Sequence, residues 1–240
     1  LVSWDELPSR LRHRMDRFEW DPSTVKVDWA LDGPVPWDGA PQVPPGMVHI
    51  ADSLDEMTLT GGQVAAGLVP DRPFLLVGQM AVADPTRVPR GHEALWAYTH
   101  VPQRVRGDGA AGRPLVREVR GAWDGADLEA MAERIEQRIE SRAPGFRDRI
   151  TARRVLGPRQ LEALDRNLVG GAINGGTAGL HQQLVFRPVA GSGRPETPVK
   201  DLYLASASAH PGGGVHGACG ANAARAALWH NKTRPPWRRT

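Results

Sequence analysis

The stretch LYLASASAHPGGGVHGACGANAARAAL, residues 202–228, decides the fold of this 240-residue chain. The apolar residues 202–204 predict a short strand, and the small residues after 217 predict a helix. A glycine cluster joins the two. A helix begins with unpaired N–H groups and a partial positive charge, and glycines there allow a ligand to approach the main chain. The stretch therefore predicts a site for an anionic or electron-rich ligand, such as a phosphate or the carbonyl edge of a flavin ring.

Two common nucleotide motifs do not describe this glycine cluster. It lacks the Lys-Ser or Lys-Thr pair of a P-loop, and Gly212, Gly213, Gly214 and Gly217 do not give the full G-x-G-x-x-G spacing. A simple turn before a helix would use the same glycines. From the residues alone, ligand binding and turn formation therefore both remain open.

A family resemblance makes the interpretation more specific. The segment resembles the C-terminal flavin-binding motif of the phytoene desaturase-like FAD-dependent oxidoreductases, a group of amine-oxidase-type flavoproteins. Residues 202–204 match the last strand of that group, 211–217 match its Pro-Gly-Gly-Gly-Val-x-Gly loop, and 223–228 continue its helix. Other segments resemble the group in the same order along the chain, namely 26–37, 95–102, 143–150, 170–176 and 186–188.

The resemblance implies which residues contact the flavin. Backbone N–H groups at the start of the last helix would approach the pyrimidine side of the ring. The cofactor-binding residues predicted in this way are Ser208, Pro211, Gly213, Gly214, Val215, His216 and Gly217. A second glycine-rich loop would lie on the substrate side of the flavin, and its candidate residues are Gly171, Asn174 and Gly175.

The sequence lacks an acidic FAD-binding side chain that members of the family carry. Many relatives carry glycine or an acidic residue at the positions of Ser206 and Ser208, and a nearby acidic residue binds the ribityl or pyrophosphate part of FAD. Here a serine hydroxyl would have to substitute for it. No catalytic side chain is implied. His210 and His216 have no Asp, Glu or Cys partner to complete a metal site, so none is expected.

The order of elements predicts an α+β fold. Consecutive strands without long helices between them indicate a mixed or antiparallel sheet with helices on one face. We expect residues 1–190 to form part of a substrate-binding domain. Residues 191–240 would supply the last strand and helix of an FAD/NAD(P)-binding α/β domain. That domain's N-terminal strand–G-x-G-x-x-G–helix unit is not recognisable here, so the chain is expected to be the C-terminal half of such an enzyme.

The expected activity is transfer of a hydride from an organic, apolar substrate, such as an isoprenoid or lipid, to FAD. The isolated chain would be inactive and would need the missing dinucleotide-binding half, in cis or in trans. The alternative is a non-enzymatic interaction or regulatory module that kept the fold without binding FAD. A third and weaker option is a nucleic-acid binder that uses the arginine clusters and Trp237; it requires binding that weakens steeply with salt.

Composition sets further limits. The net charge of +3, from 30 basic and 27 acidic residues, is too small to argue for nucleic acid as a partner. No apolar run reaches the roughly 18 residues that a membrane span needs, although peripheral membrane contact stays open. The single Cys219 excludes an internal disulfide, so a cytoplasmic location is the default expectation.

Overall fold

The computed structural model describes residues 2–114 and 116–233. Residues 234–240, which include Trp237 and the last arginines named for the nucleic-acid option, lie outside the described residues. The chain divides into two compact units. The first consists of residues 1–21 and 167–240, and the second of residues 22–166. The predicted boundary at 190/191 separates a substrate-binding part from an FAD-binding part rather than two compact units, and it stays a prediction.

The second unit is built on a five-stranded antiparallel sheet. Its strands are β1 (Ser23–Leu31), β2 (Met47–Ile50), β4 (Leu75–Gln79), β5 (Glu93–Val101) and β7 (Ile150–Leu156). They lie in the order β2-β4-β5-β1-β7. A parallel pair, β3 (Leu68–Val69) and β6 (Gly107–Asp108), forms a separate two-stranded sheet. The prediction of a mixed α+β arrangement is therefore confirmed for this part of the chain.

The helices of the second unit are α2 (Leu54–Ala65), α3 (Met80–Ala83), α4 (Gly125–Glu140) and α5 (Pro158–Leu164). Asp124 begins α4 by accepting the N–H groups of Ala126 and Asp127, and Ser53 begins α2 by accepting the N–H of Glu56. Short 3-10 turns complete the unit at Pro85–Arg87 and Arg147–Arg149.

The core lies between the main sheet and α4. Alternate residues of β1 and β5 point into it, because side chains alternate across a strand. Met131, Ile135 and Ile139 of α4 are fully buried against this face, as their helical spacing predicts. Trp29 belongs to this core, since it packs edge-on against Phe146 and donates its ring N–H to Glu136.

The segment 104–121, which is rich in glycine and arginine, contains β6 and the carboxylate of a buried ion pair. Asp108 contacts Arg134 of α4 at 2.7 Å and also accepts the N–H groups of Ala110 and Val119. Burial alone would raise the pKa of Asp108, but the hydrogen bonds from Arg134 and the two amides outweigh it and lower the pKa. This carboxylate therefore fixes the segment to α4.

The first unit contains two α-helices, α1 (Ser9–Met15) and α6 (Ala218–Thr233), among its described residues. Its other elements are 3-10 turns at Trp4–Glu6, Val169–Gly171, Leu180–Gln182 and Leu184–Phe186. Pro8 separates the first 3-10 turn from α1, because proline has no N–H to continue the hydrogen-bond ladder.

The strand predicted at 202–204 is wrong as a regular strand. Tyr203 forms only an isolated antiparallel bridge with Glu196. A strand needs a neighbour that supplies a ladder of hydrogen bonds. The described residues of this unit offer Tyr203 only the short segment 195–197, which contains Pro195 and so lacks one of the donors.

Candidate functional site

The glycine cluster leads directly into α6. Gly217 is the cap residue, since its carbonyl accepts the first intrahelical hydrogen bond from the Ala221 N–H at 3.0 Å. Residues 213–217 are exposed, and Val215 has no cover at all. The predicted cofactor-binding backbone is therefore open to solvent rather than packed beneath side chains.

His216 has a structural task at this helix start. Its Nδ1 accepts the N–H of Ala218 at 2.9 Å, so that nitrogen carries no proton and is not free for a ligand. The next two amides of the helix, of Cys219 and Gly220, have no intrahelical acceptor by the geometry of an α-helix. They lie at the positive end of α6, where Gly220 is exposed and Cys219 is buried.

Gly214 is required by the backbone conformation. Its φ of +154° lies in a region that side chains disfavour, so this position suits glycine for conformational reasons alone. The exposed loop therefore presents main-chain atoms without a side chain at this point.

The structure brings the two predicted glycine-rich loops together within the first unit. A Cβ atom added at Gly213 would lie 2.9 Å from Asn174 Oδ1, and one added at Gly175 would overlap Ser208 Oγ. Residues assigned separately to the cofactor side and the substrate side are thus neighbours. Gly171 is buried, and Pro211 and Ser208 are half-buried.

Arg187 holds these two loops in place. Its guanidinium is almost fully buried and donates to four carbonyl oxygens at 2.8–2.9 Å. The acceptor on the cofactor-side loop is Ala207, and the acceptors on the substrate-side loop are Asn174, Gly176 and Thr177. Burial lowers the pKa of Arg187, and the nearby carboxylate of Asp21 acts in the opposite direction.

Asp21 fixes the substrate-side loop from a second direction. Its carboxylate accepts the side-chain amide of Asn174 at 2.9 Å, and its backbone N–H donates to the Gly175 carbonyl at 2.8 Å. Asn174, predicted as a substrate-side residue, therefore has its amide N–H directed to Asp21. Its Oδ1 remains close to Gly213.

Two further contacts anchor α6. The buried Cys219 thiol donates to the carbonyls of Gly212 and Ala209 at 3.2 and 3.5 Å. Tyr203 forms a 2.8 Å hydrogen bond between its hydroxyl and Nδ1 of His230 in the last part of the helix. Cys219 thus acts as a packing residue.

No group of three or more His, Cys, Asp or Glu side chains that could hold a metal ion occurs within 2–114 and 116–233.

The roles of Arg187 and Asp21 were missed from the sequence. Arg187 lies in the Phe186-Arg-Pro phrase that carried part of the family resemblance, but no role followed from it. The available signal was an arginine between two apolar residues, Phe186 and Pro188, in a segment with few acidic side chains. When such an arginine is buried, its N–H groups need hydrogen-bond acceptors, and without nearby carboxylates these are backbone carbonyls.

Comparison with known proteins identifies relatives among oxidoreductases. The chain is 30% identical over 234 residues to "Pyridine nucleotide-disulfide oxidoreductase domain-containing protein 2" of Rattus norvegicus, covering 93% of this chain and 38% of the relative. It is 30% identical over 152 residues to 4,4'-diapolycopen-4-al dehydrogenase of Metabacillus indicus, covering 61% of this chain and 26% of that protein. No family model matches the chain.

Among solved structures, an oxidoreductase from Methanosarcina mazei matches 95% of this chain and 38% of its own, at 16% identity and a TM-score of 0.46. The sequence relatives confirm the resemblance expected from the glycine cluster. The chain is related to the phytoene desaturase-like oxidoreductases, and a diapolycopenal dehydrogenase is one of its relatives. The chain spans 38% of the length of the rat relative, about two fifths.

None of the helices within the described residues is long and apolar enough to cross a bilayer.

Proposed function

We propose that this chain supplies the C-terminal part of an FAD-dependent oxidoreductase that removes a hydride from an apolar organic substrate. The observation that carries the proposal is the exposed glycine loop at the start of α6, in a chain whose relatives are oxidoreductases. The remaining walls of the cofactor site would come from a dinucleotide-binding half, in cis or in trans.

The residues present fit a flavin. Gly213 and Gly214 leave the main chain uncovered, and the exposed Gly220 would offer its amide at the helix start. The partial positive charge there would stabilise negative charge on the pyrimidine side of the ring. Arg187 adds a full positive charge that is buried behind the loop, so it supports the same preference for an electron-rich ligand.

The bound FAD would accept the hydride, and this chain would orient and tune it. The amides of residues 213–217 and the start of α6 would hold the ring. The substrate-side residues Gly171, Asn174 and Gly175 would border the position of the reacting carbon, kept in place by Arg187 and Asp21. The proposed substrate is apolar, such as an isoprenoid or lipid. A cytoplasmic location and peripheral membrane contact belong to the same proposal.

Flavin content tests this proposal. The protein that joins this chain to its dinucleotide-binding half is purified, its flavin absorbance is recorded, and the released flavin is identified by chromatography. We expect about one FAD per protein. A colourless, folded protein that ignores added FAD would instead support the non-enzymatic alternative.

A matched pair of glycine variants assigns the binding to the loop. Gly214→Ala forces a side chain onto a φ of +154°, so we expect FAD retention to fall at least about tenfold. Gly46→Ala is the control, because a Cβ atom at Gly46 meets nothing within 4 Å and its φ is ordinary. Equal FAD retention in the two variants would show that the glycine loop is not part of the FAD site.

A further inference from the structure

Residues 180–186 of the first unit, LHQQLVF, have an inverted burial pattern. The four large apolar side chains are between 48% and 89% exposed, whereas the polar Gln182 is buried. The exposed residues are Leu180, Leu184, Val185 and Phe186. Single apolar residues on a surface are ordinary, but a buried polar residue beside several exposed apolar ones is informative. The segment is therefore a candidate interface.

Hydrogen bonds hold the segment in this orientation. The side chain of Gln182 accepts the N–H of Glu19 at 2.9 Å and donates to the Glu19 carbonyl at 2.8 Å. The buried Arg187, which follows the segment directly, donates to four further carbonyls. The apolar side chains cannot turn inward unless these bonds break and leave buried polar groups without partners.

The segment borders the glycine loop that precedes α6. His210 Nδ1 donates to the carbonyl of Leu184 at 2.8 Å. A Cβ atom added at Gly212 would lie 3.3 Å from Oε1 of Gln183. The exposed apolar surface therefore adjoins the loop that is proposed to hold the flavin.

We infer that residues 180–186 form a docking surface for the dinucleotide-binding half. The inference rests on the proposed function, which requires further polypeptide beside the glycine loop. More than half of the rat relative lies outside the match, since the match covers 38% of it. Residues 180–186 contain no Asp, Glu, Lys or Arg, so the contacting surface of that half is expected to be apolar and uncharged.

Thiol labelling tests the inference. Val185→Cys introduces a thiol on the apolar surface, and Val43→Cys introduces a matched control at an exposed valine of the second unit. The native Cys219 is buried and gives little background. Each variant is prepared as the 240-residue chain and as the complete protein, and maleimide labelling is followed by peptide mass spectrometry. We expect labelling at position 185 to be at least about tenfold slower in the complete protein, and labelling at position 43 to be equal in both forms.

Charge substitution gives a second readout. Val185→Asp places a carboxylate on the apolar surface, which is tolerated in water but unfavourable against an apolar partner. We expect this variant to lower the urea midpoint of the complete protein and to leave that of the 240-residue chain unchanged. Val43→Asp should leave both midpoints unchanged.

Three results would overturn the inference. The first is equal labelling of Val185→Cys in the two forms. The second is protection that grows with the concentration of the 240-residue chain alone, which would assign the surface to a second copy. The third is protection only on addition of phosphatidylcholine vesicles, which would assign it to a lipid surface.

The same samples separate this inference from the flavin proposal. A complete protein that retains FAD while position 185 stays reactive would refute the docking surface alone. A complete protein that protects position 185 but binds no FAD would support the docking surface and refute the flavin proposal.

Discussion

The Nε atom of Arg187 lies 2.8 Å from the carbonyl oxygen of Ala207, and the rest of the same guanidinium binds the substrate-side loop. One buried side chain thus sets the spacing between two loops that are separated in sequence. Loops usually carry function on a rigid support, and here the support is an arginine rather than a sheet.

Replacing Arg187 with glutamine should destabilise the first unit. The change leaves several buried carbonyls without donors, so we expect a loss of about 2–4 kcal/mol in the free energy of unfolding. Urea denaturation measures it. Arg194→Gln, at an exposed arginine of the same unit, should change the free energy by less than about 0.5 kcal/mol. Equal effects would show that Arg187 does not hold the loops.

Gly175→Ala should also be destabilising. Gly175 has a φ of +69° and faces Ser208 Oγ, so an alanine there is both strained and overlapped. We expect a loss of about 1–3 kcal/mol. Ser208→Gly should recover the part of the lost free energy that is due to overlap between the added Cβ atom and Ser208. A double-mutant cycle measures this coupling energy. A cycle with no coupling energy would mean that the two loops are not in contact.

The ion pair between Asp108 and Arg134 predicts a dependence of stability on pH. Asp108→Asn leaves the Arg134 guanidinium buried without its carboxylate, so we expect a loss of about 3–5 kcal/mol at pH 7. The pKa of Asp108 is lowered from its ordinary value of 3.8. Its contribution is therefore fully present above the pKa of the unfolded chain and is lost as the pH falls through the lower folded pKa.

The measurement is urea denaturation of the unmodified chain and the Asp108→Asn variant at pH 7 and at pH 3. The difference between them should be smaller at pH 3. Asp148→Asn, at an exposed position, is the control and should show a small difference at both values. A difference that stays constant with pH would contradict the assignment of the lowered pKa to this pair.

Tyr203→Phe should loosen α6. The variant keeps the ring but loses the hydrogen bond to His230, for which we expect a loss of about 0.5–1.5 kcal/mol. Amide hydrogen exchange should become faster in the second half of α6, because that bond anchors its last turns. Unchanged exchange in α6 would show that the Cys219 end of the helix is sufficient to hold it.

Local patterns predicted much of the second unit. The spacing of Met131, Ile135 and Ile139 is enough to predict α4 and its buried face, and the structure places its cap at Asp124. Alternating apolar residues similarly indicated β1 and β5. These features depend on neighbours in sequence, and therefore they can be recognised in a single sequence.

The geometry of the candidate site could not be predicted in the same way. Asn174 binds Asp21 across 153 residues, and such a contact leaves no periodic pattern. The segment at 202–204 has the composition of a strand, but a strand forms only where another strand lies beside it. The resemblance supplied the glycine loops as candidates, and the structure supplied Arg187 as the residue that joins them.

The central claim is that the start of α6 holds a flavin. The most direct test is the FAD-to-protein ratio of the complete two-part protein, compared between the unmodified form and Gly214→Ala at equal folded fraction. We predict a ratio near one for the unmodified protein and at least about a tenfold lower ratio for the variant. A complete, folded protein without FAD, or one whose FAD content is unaffected by Gly214→Ala, would contradict the claim.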